Sequence, residues 1–449
     1  MSITSTEDTA ERLARLEQTI EHLLAEAKRL GASAAEASVG SSAGLEVGVR
    51  LGEVETVEHT RDNGLGITVY FGNRRGSSST TDLSPDSLRA AVKAACAIAV
   101  HTQEDPCAHL ADAALMAHGV LDLDLYHPWP IGVEEAIAIA AECEDAARAF
   151  DPRIVNSEGA SLSAHSGLQV YGNSHGFVGG YPSTRHGLSC AVIGEEGDTM
   201  QRDYWWTSAR AAADLEPARL VGERAAQRTV ARLGGRQLGT CKAPVLFRAE
   251  VATGLVRSLV SAISGGSLYR RASFLLDHLG ERLFPEFMRI HEEPHLPRGL
   301  SSAPFDSDGV ATWAKDLVSE GVLRTYVLDA YSGCRLKLPT TGNGGGVRNL
   351  VVAMGERDRA GLLALMGTGL FVTELMGHGV NAVTGDYSRG AAGFWVENGE
   401  IAYPVEEITI AGNLKSMYAG LVAVGNDCDF PGSTRTGSWL IDEMTIAGQ

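Results

Sequence analysis

The chain has 449 residues, 44% of them hydrophobic and 21% charged, ordinary proportions for a globular protein with room for two or three cores. Its formal net charge of −18 argues against a nucleic-acid binder and against a surface for anionic lipid, since both need a basic face. No run approaches the ~18 uninterrupted apolar residues of a membrane span, and the polar start MSITSTEDTAERLARLEQ lacks the apolar core of a secretory signal.

Leu13, Leu16, Ile20, Leu23, Leu24, Ala27 and Leu30 recur at three- and four-residue steps, which predicts a first helix with Thr6 at its start and Gly31 at its end. Strands are expected at 45–50, 54–59 and 66–71. Ser84 and Pro85 then open a helix running to about residue 100, with proline at the position where its missing N–H costs nothing. An alanine-rich helix is expected at 133–150, started by two glutamates. The strand pattern then returns: Gly44-Leu45-Glu46-Val47 is echoed by Gly167-Leu168-Gln169-Val170, and Gly64-Leu65 by Gly187-Leu188 at the same spacing. With a further helix at 217–233, this points to a duplicated strand-helix unit.

The character changes near Gly234-Gly235 and Pro244, where a domain boundary is expected. Beyond it, helices are expected at 250–263 and 267–284, a hairpin at 310–328, and a flexible glycine loop at 341–346. Further helices are expected at 358–366 and 413–419, with a last strand at 439–446. Asn398-Gly399, between two strand-forming runs, is the strongest short hairpin signal in the chain. Seven cysteines with no CxxC pair read as reduced, mostly buried thiols of a cytoplasmic protein.

Several motifs invite chemistry. His291-Glu292-Glu293-Pro294-His295 spells HExxH, but that motif binds zinc from a helix, and Pro294 opposes one; a charged loop is the better reading. The Gly342–Gly346 stretch lacks the lysine of a phosphate-binding loop. Phe394 and Trp395 can line a peptide groove or pack within the sheet. Asp386, Tyr387 and Arg389 sit between glycines, where a partner's backbone can approach. Glu374 and Asp386 are a formal acid/base pair on spacing alone.

Several longer stretches resemble the TldE/PmbA branch of the TldD/TldE metallopeptidase family, whose naming also links it to DNA gyrase modulation. They include Gly64 to Tyr70, Ser79 to Pro85, Gly172-Asn173-Ser174-His175-Gly176, Thr184-Arg185-His186, Pro304-Phe305-Asp306-Ser307, Gly385 to Gly399 and Ala447-Gly448-Gln449. The resemblance implies an α+β fold in which the duplicated units precede a C-terminal domain built on a large curved antiparallel sheet. We divide the chain accordingly at 1–130, 131–240 and 241–449. It also implies a cytoplasmic two-subunit particle with a TldD-type partner, which carries zinc on an HExxxH helix and a cysteine and cleaves unfolded or leader peptides.

Aligned with that helix, the chain keeps the glutamate as Glu250 but has Ala249 at the first histidine position. Thr253 or Gly254 stands at the second, and Thr436 at the cysteine position. The resemblance therefore implies no zinc in this chain and no confident catalytic residue. Asp386, Tyr387, Arg389, Phe394 and Trp395 remain as candidates to contact a peptide. Two alternatives stay open. One is a metal-free homodimeric peptide-binding or adaptor protein. The other is an independent metallopeptidase using histidines such as His175, His186, His291 or His378.

Overall fold

The computed structural model describes residues 9–448, so Thr6, the expected helix cap, lies outside the described residues. The N-terminal half repeats one order twice. Helix α1 (Thr9–Arg29), strands β1 (Ala34–Arg50), β2 (Glu53–Phe71) and β3 (Arg74–Thr80), and helix α2 (Pro85–His101) form the first unit. Helix α3 (Val133–Ala149), strands β4 (Ile154–Asn173), β5 (Val178–Glu196) and β6 (Thr199–Ala209), and helix α4 (Ala218–Ala231) form the second. The strands join in one antiparallel sheet of order β3-β2-β1-β4-β5-β6, whose symmetry about the β1–β4 pair is that of a duplication. The strands are far longer than the expected segments.

The helices cover one face of this sheet. On α1, Leu16, Ile20, Leu23 and Ala27 are buried against Ala35, Ala37, Val39 and Ile67. Helices α3 and α4 cover Leu45 of β1 together with Leu162, Val192 and the fully enclosed Trp205 of the second unit. These helices meet closely: a Cβ on Gly222 would collide with the Cys143 carbonyl oxygen.

The C-terminal half begins with β7 (Cys241–Phe247), α5 (Ala249–Ala262) and α6 (Gly265–Tyr269). Strands β8 (Ile290–Glu293), β9 (Lys315–Ser319) and β10 (Val322–Leu323), helix α7 (Ala330–Leu336) and strand β11 (Asn349–Val352) follow. Next come α8 (Arg359–Met366), β12 (Gly369–Met376), β13 (Asp386–Glu397), β14 (Glu400–Asn413) and α9 (Leu414–Ala419). Strands β15 (Leu421–Val424), β16 (Thr434–Arg435) and β17 (Trp439–Ala447) end the chain. The main sheet has the order β14-β13-β12-β7-β17-β15 and curls until β14 pairs with β17. It is antiparallel apart from the parallel β7–β12 pair. Its interior packs against α5 and α9 around Phe247, Leu259, Tyr418 and Trp439. A second sheet, β10-β9-β8-β11-β16, adjoins the same core through Ile290, Leu317 and Leu350.

Four expectations are corrected. The helix expected at 267–284 is only the short α6, because Arg271 (φ 58), Asp277 (φ 62) and Gly280 (φ 87) take left-handed turns that no helix accommodates. The glycine loop is pinned rather than free: buried Asn343 donates to both oxygens of Glu292, and the Gly344 N–H donates to Asp306 at 2.7 Å. The cysteines are not all thiols, since Cys107 and Cys334 form a disulfide across a separation of 227 residues. Of the remaining five, Cys96, Cys143 and Cys190 are buried. The expected hairpin at 310–328 contracts to β9–β10. At Asn398-Gly399 both residues adopt positive φ, 53° and 81°, as the turn between β13 and β14 requires.

Candidate functional site

Several backbone segments converge at one end of the curled sheet. β7 runs out at Phe247, and Arg248 and Ala249 turn directly into α5. Val372 lies opposite Phe247 on the parallel β12, so Glu374 stands at the same end. Trp439 lies opposite Phe247 on β17, which brings Thr436 there as well. Glu250 occupies the first turn of α5, where the helix dipole favours a carboxylate.

Around Glu250 the chain builds a buried ion network. The Arg228 guanidinium, on α4, reaches Glu250 Oε1 at 2.6 Å and Asp203 Oδ1, on β6, at 3.1 Å. Arg248 Nε reaches the same Glu250 oxygen at 3.0 Å. Arg232, which caps the end of α4, bridges Asp203 at 3.5 Å and Glu374 at 2.6 Å. The side chains of Arg228, Asp203, Glu250 and Arg232 are each at most 9% exposed. Burial works against the Arg228 charge, but Asp203 and Glu250 outweigh it and hold its pKa above the usual guanidinium value. Burial lowers that of Arg248. These ions tie the second N-terminal unit to the C-terminal sheet.

The other positions aligned with metal ligands bring no free donor. Ala249 is fully buried and apolar. The Thr253 hydroxyl donates to the Glu250 carbonyl at 2.6 Å, and Gly254 has no side chain. Fully buried Thr436 accepts the Trp439 indole N–H at 2.8 Å and donates to the Gly437 carbonyl at 3.1 Å. As a donor set for zinc these residues do not fit: guanidinium groups hold one oxygen of the single carboxylate, the two hydroxyls are bonded within the chain, and only the buried Glu250 Oε2 is left open.

The peptide-contact candidates are spread along β13. Asp386 is exposed and accepts from Thr384 and Asn413, which lower its pKa. Tyr387 is buried edge-on against Phe247, its hydroxyl without a partner, and burial pushes that phenol above its ordinary range. Arg389 Nε donates to the Met376 carbonyl. Phe394 stacks on Phe371 beside the cluster under α8, whereas Trp395 packs against the main core. The two aromatics thus serve different packing clusters. Glu374 is engaged with Arg232, not with Asp386.

The HExxH-like segment, expected as a loop, is corrected to mostly strand: His291-Glu292-Glu293 belongs to β8, and only Pro294 and His295 turn away from it. Its Glu292 is fully buried and ion-paired to Lys315 at 2.9 Å. His291 Nδ1 faces Asp316, His175 Nε2 the Ala111 carbonyl and His186 Nε2 the His127 carbonyl. Burial lowers the pKa of His186. Among the described residues, no three His, Cys, Asp or Glu side chains gather as a metal site would need. Sequence reasoning missed Arg228, Arg232 and Arg248; on a helix or at its start, arginines read as solvated surface.

Comparison with known proteins agrees with this architecture. Three family models match in order: PmbA/TldA metallopeptidase domain 1 over residues 35–99, the central domain over 126–233, and the C-terminal domain over 240–448. The chain is 53% identical to the metalloprotease PmbA of Escherichia coli O157:H7, over 92% of each chain. It is 49% identical to the metalloprotease PmbA homolog of Haemophilus influenzae, over 96% of each. A Bacteroides thetaiotaomicron structure, described as a modulator of DNA gyrase, superposes with a TM-score of 0.91 at 28% identity, over 97% of this chain and 99% of that one.

Proposed function

Because the chain belongs to the PmbA/TldD metallopeptidase family, we propose that it is the supporting, TldE/PmbA-type subunit of a cytoplasmic peptidase whose zinc resides in a TldD-type partner. Its role is to complete the chamber and help hold an unfolded or leader peptide in extended form, a geometry that suits recognition by an added strand. The partner supplies the metal-activated water.

One observation carries the reading. Glu250, which the resemblance aligns with the glutamate that would act as general base, accepts from Arg228 on Oε1 and has Arg248 Nε ion-paired to the same oxygen at 3.0 Å, while Oε2 is buried without a partner. A base must reach the water whose proton it takes; here one oxygen is paired to guanidinium groups and the other is enclosed away from solvent, so the carboxylate serves as a structural anion. The chain spends that glutamate on joining its two halves.

The test is a cleavage assay on an unstructured peptide with the chain alone, the TldD-type partner alone and both together. Cleavage should require the partner and be strongest with both. Chelator-sensitive cleavage by the chain alone contradicts the proposal.

A further inference from the structure

A cavity of about 980 Å³ lies between the uncovered face of the N-terminal sheet and two loops of the C-terminal half. Alternation along β1 decides what the sheet contributes. Ala35, Ala37 and Val39 point to the helices, so Glu36 and Ser38 point into the cavity, beside Thr68 of β2 and Ser79 of β3. The loops contribute Ser301, Ser307, Asp308 and Arg348. The volume sits at the upper end of the ~300–1,000 Å³ typical of ligand pockets.

The carboxylates are arranged for a ligand that donates. Glu36 is fixed by two phenols, Tyr70 at 2.7 Å and Tyr171 at 2.8 Å. The Tyr171 hydroxyl also contacts the Asp308 carbonyl at 3.1 Å, which brings Asp308 and Glu36 to the same place. Asp308 Oδ2 accepts the Ala330 N–H at 2.8 Å, while Oδ1 has no hydrogen-bond partner among the described residues. Asp306 is saturated by the N–H groups of Asp308, Val310 and Gly344 and acts as scaffold. The hydroxyls of Ser38, Ser79, Ser301 and Ser307 likewise have no partner among the described residues. A metal ion is a poor occupant, because no three ligating side chains gather there and Glu36 is already bound on both oxygens. An organic cation with several N–H donors suits one open carboxylate oxygen and a wall of hydroxyls.

We propose that this cavity is a subsite for a cationic group of a peptide, either an N-terminal ammonium or a lysine side chain, hydrogen-bonded to the open Asp308 oxygen with Glu36 as the neighbouring charge. The cation is inferred from the cavity alone; its peptide carrier rests on the function proposed above. Burial, then the neighbouring Asp306, pushes the Asp308 carboxyl up to about 7, with Glu36 and Asp329 adding to the effect. The other charged group lining the cavity is Arg348, whose guanidinium is held to the Gly344 carbonyl at 3.1 Å. Asp308 therefore gains its charge as pH rises through about 7, and lysine binding should strengthen over the same interval.

The experiment uses the full chain and short unstructured peptides dyed at the C-terminus, read by fluorescence anisotropy. Four versions combine a free or acetylated N-terminus with lysine or norleucine at one position. At pH 7.5, where an α-amino group of ordinary pKa about 7.7–8.0 is still mostly protonated, a peptide bearing either cation should bind about tenfold more tightly than the acetylated norleucine version, the scale of one charge-assisted hydrogen bond. The acetylated lysine and free-amine norleucine versions distinguish the two sources. Asp308→Asn combined with Glu36→Gln should bring the preference to near parity, and Ser38→Phe, which fills the cavity without removing a carboxylate, should weaken binding of the cationic peptides. Equal binding of all four peptides, a preference that survives the double variant, or no binding at all overturns the proposal. Stimulation of the partner's cleavage of the neutral peptide reads the subunit role separately, so each idea can fail alone.

Discussion

Replacing Arg228 with methionine tests whether the ion network joins the two halves of the chain. Methionine keeps an unbranched apolar stem beside Trp205, over whose ring the guanidinium lies 5.3 Å from the centroid. It removes the charge shared by Asp203 and Glu250, whose side chains are 4% and 9% exposed. Breaking a buried pair from one side typically costs ~3–5 kcal/mol, because a carboxylate is left without its counterion. Asp203 keeps Arg232 and Glu250 keeps Arg248, so the lower part of that range, about 3 kcal/mol, is expected. Urea unfolding followed by tryptophan fluorescence measures the loss. Combining Arg228→Met with Glu250→Gln should recover part of it, with a coupling energy of roughly 1–3 kcal/mol. Arg219→Met, at an exposed pair with Glu223, should change stability by no more than about 0.5 kcal/mol. A cost for Arg228→Met as small as that of the exposed control would refute the reasoning.

Other buried contacts have consequences of the same kind. Lys315→Met strands the fully buried Glu292, so it should cost about 3–5 kcal/mol and speed hydrogen exchange across residues 341–348, where Asn343 and the Arg348 N–H depend on that carboxylate. Gly222→Ala pushes α4 from the Cys143 carbonyl of α3 and should cost about 1–3 kcal/mol, seen as a lower unfolding midpoint with an unchanged slope. Thiol titration of the chain denatured without reductant should find five reactive cysteines, Cys107 and Cys334 being joined; seven would show that this bond does not form.

How much of this was legible in the sequence depended on range. Local signals carried: Ser84 and Pro85 do start α2, and Gly31, with φ 92°, follows the end of α1. The echo of Gly-Leu pairs pointed to a repeat, which the sheet order displays as symmetry. Contacts between distant segments were not legible. Nothing local pairs Arg228 with Glu250, Glu292 with Lys315, or Cys107 with Cys334. The apolar residues at 274–284 imitated a helix because Phe274, Leu275, Leu283 and Phe284 are indeed buried, but they reach the core from turns. Glu36 and Asp308 gave no motif at all, since separate halves of the chain bring them together.

The most direct measurement is the zinc content of the chain purified without added metal, beside that of its complex with the TldD-type partner, located by anomalous scattering. The account predicts zinc bound by the partner's residues alone, with Arg228 and Arg248 still paired to Glu250. A zinc ion bonded to this chain at the start of α5 would contradict it.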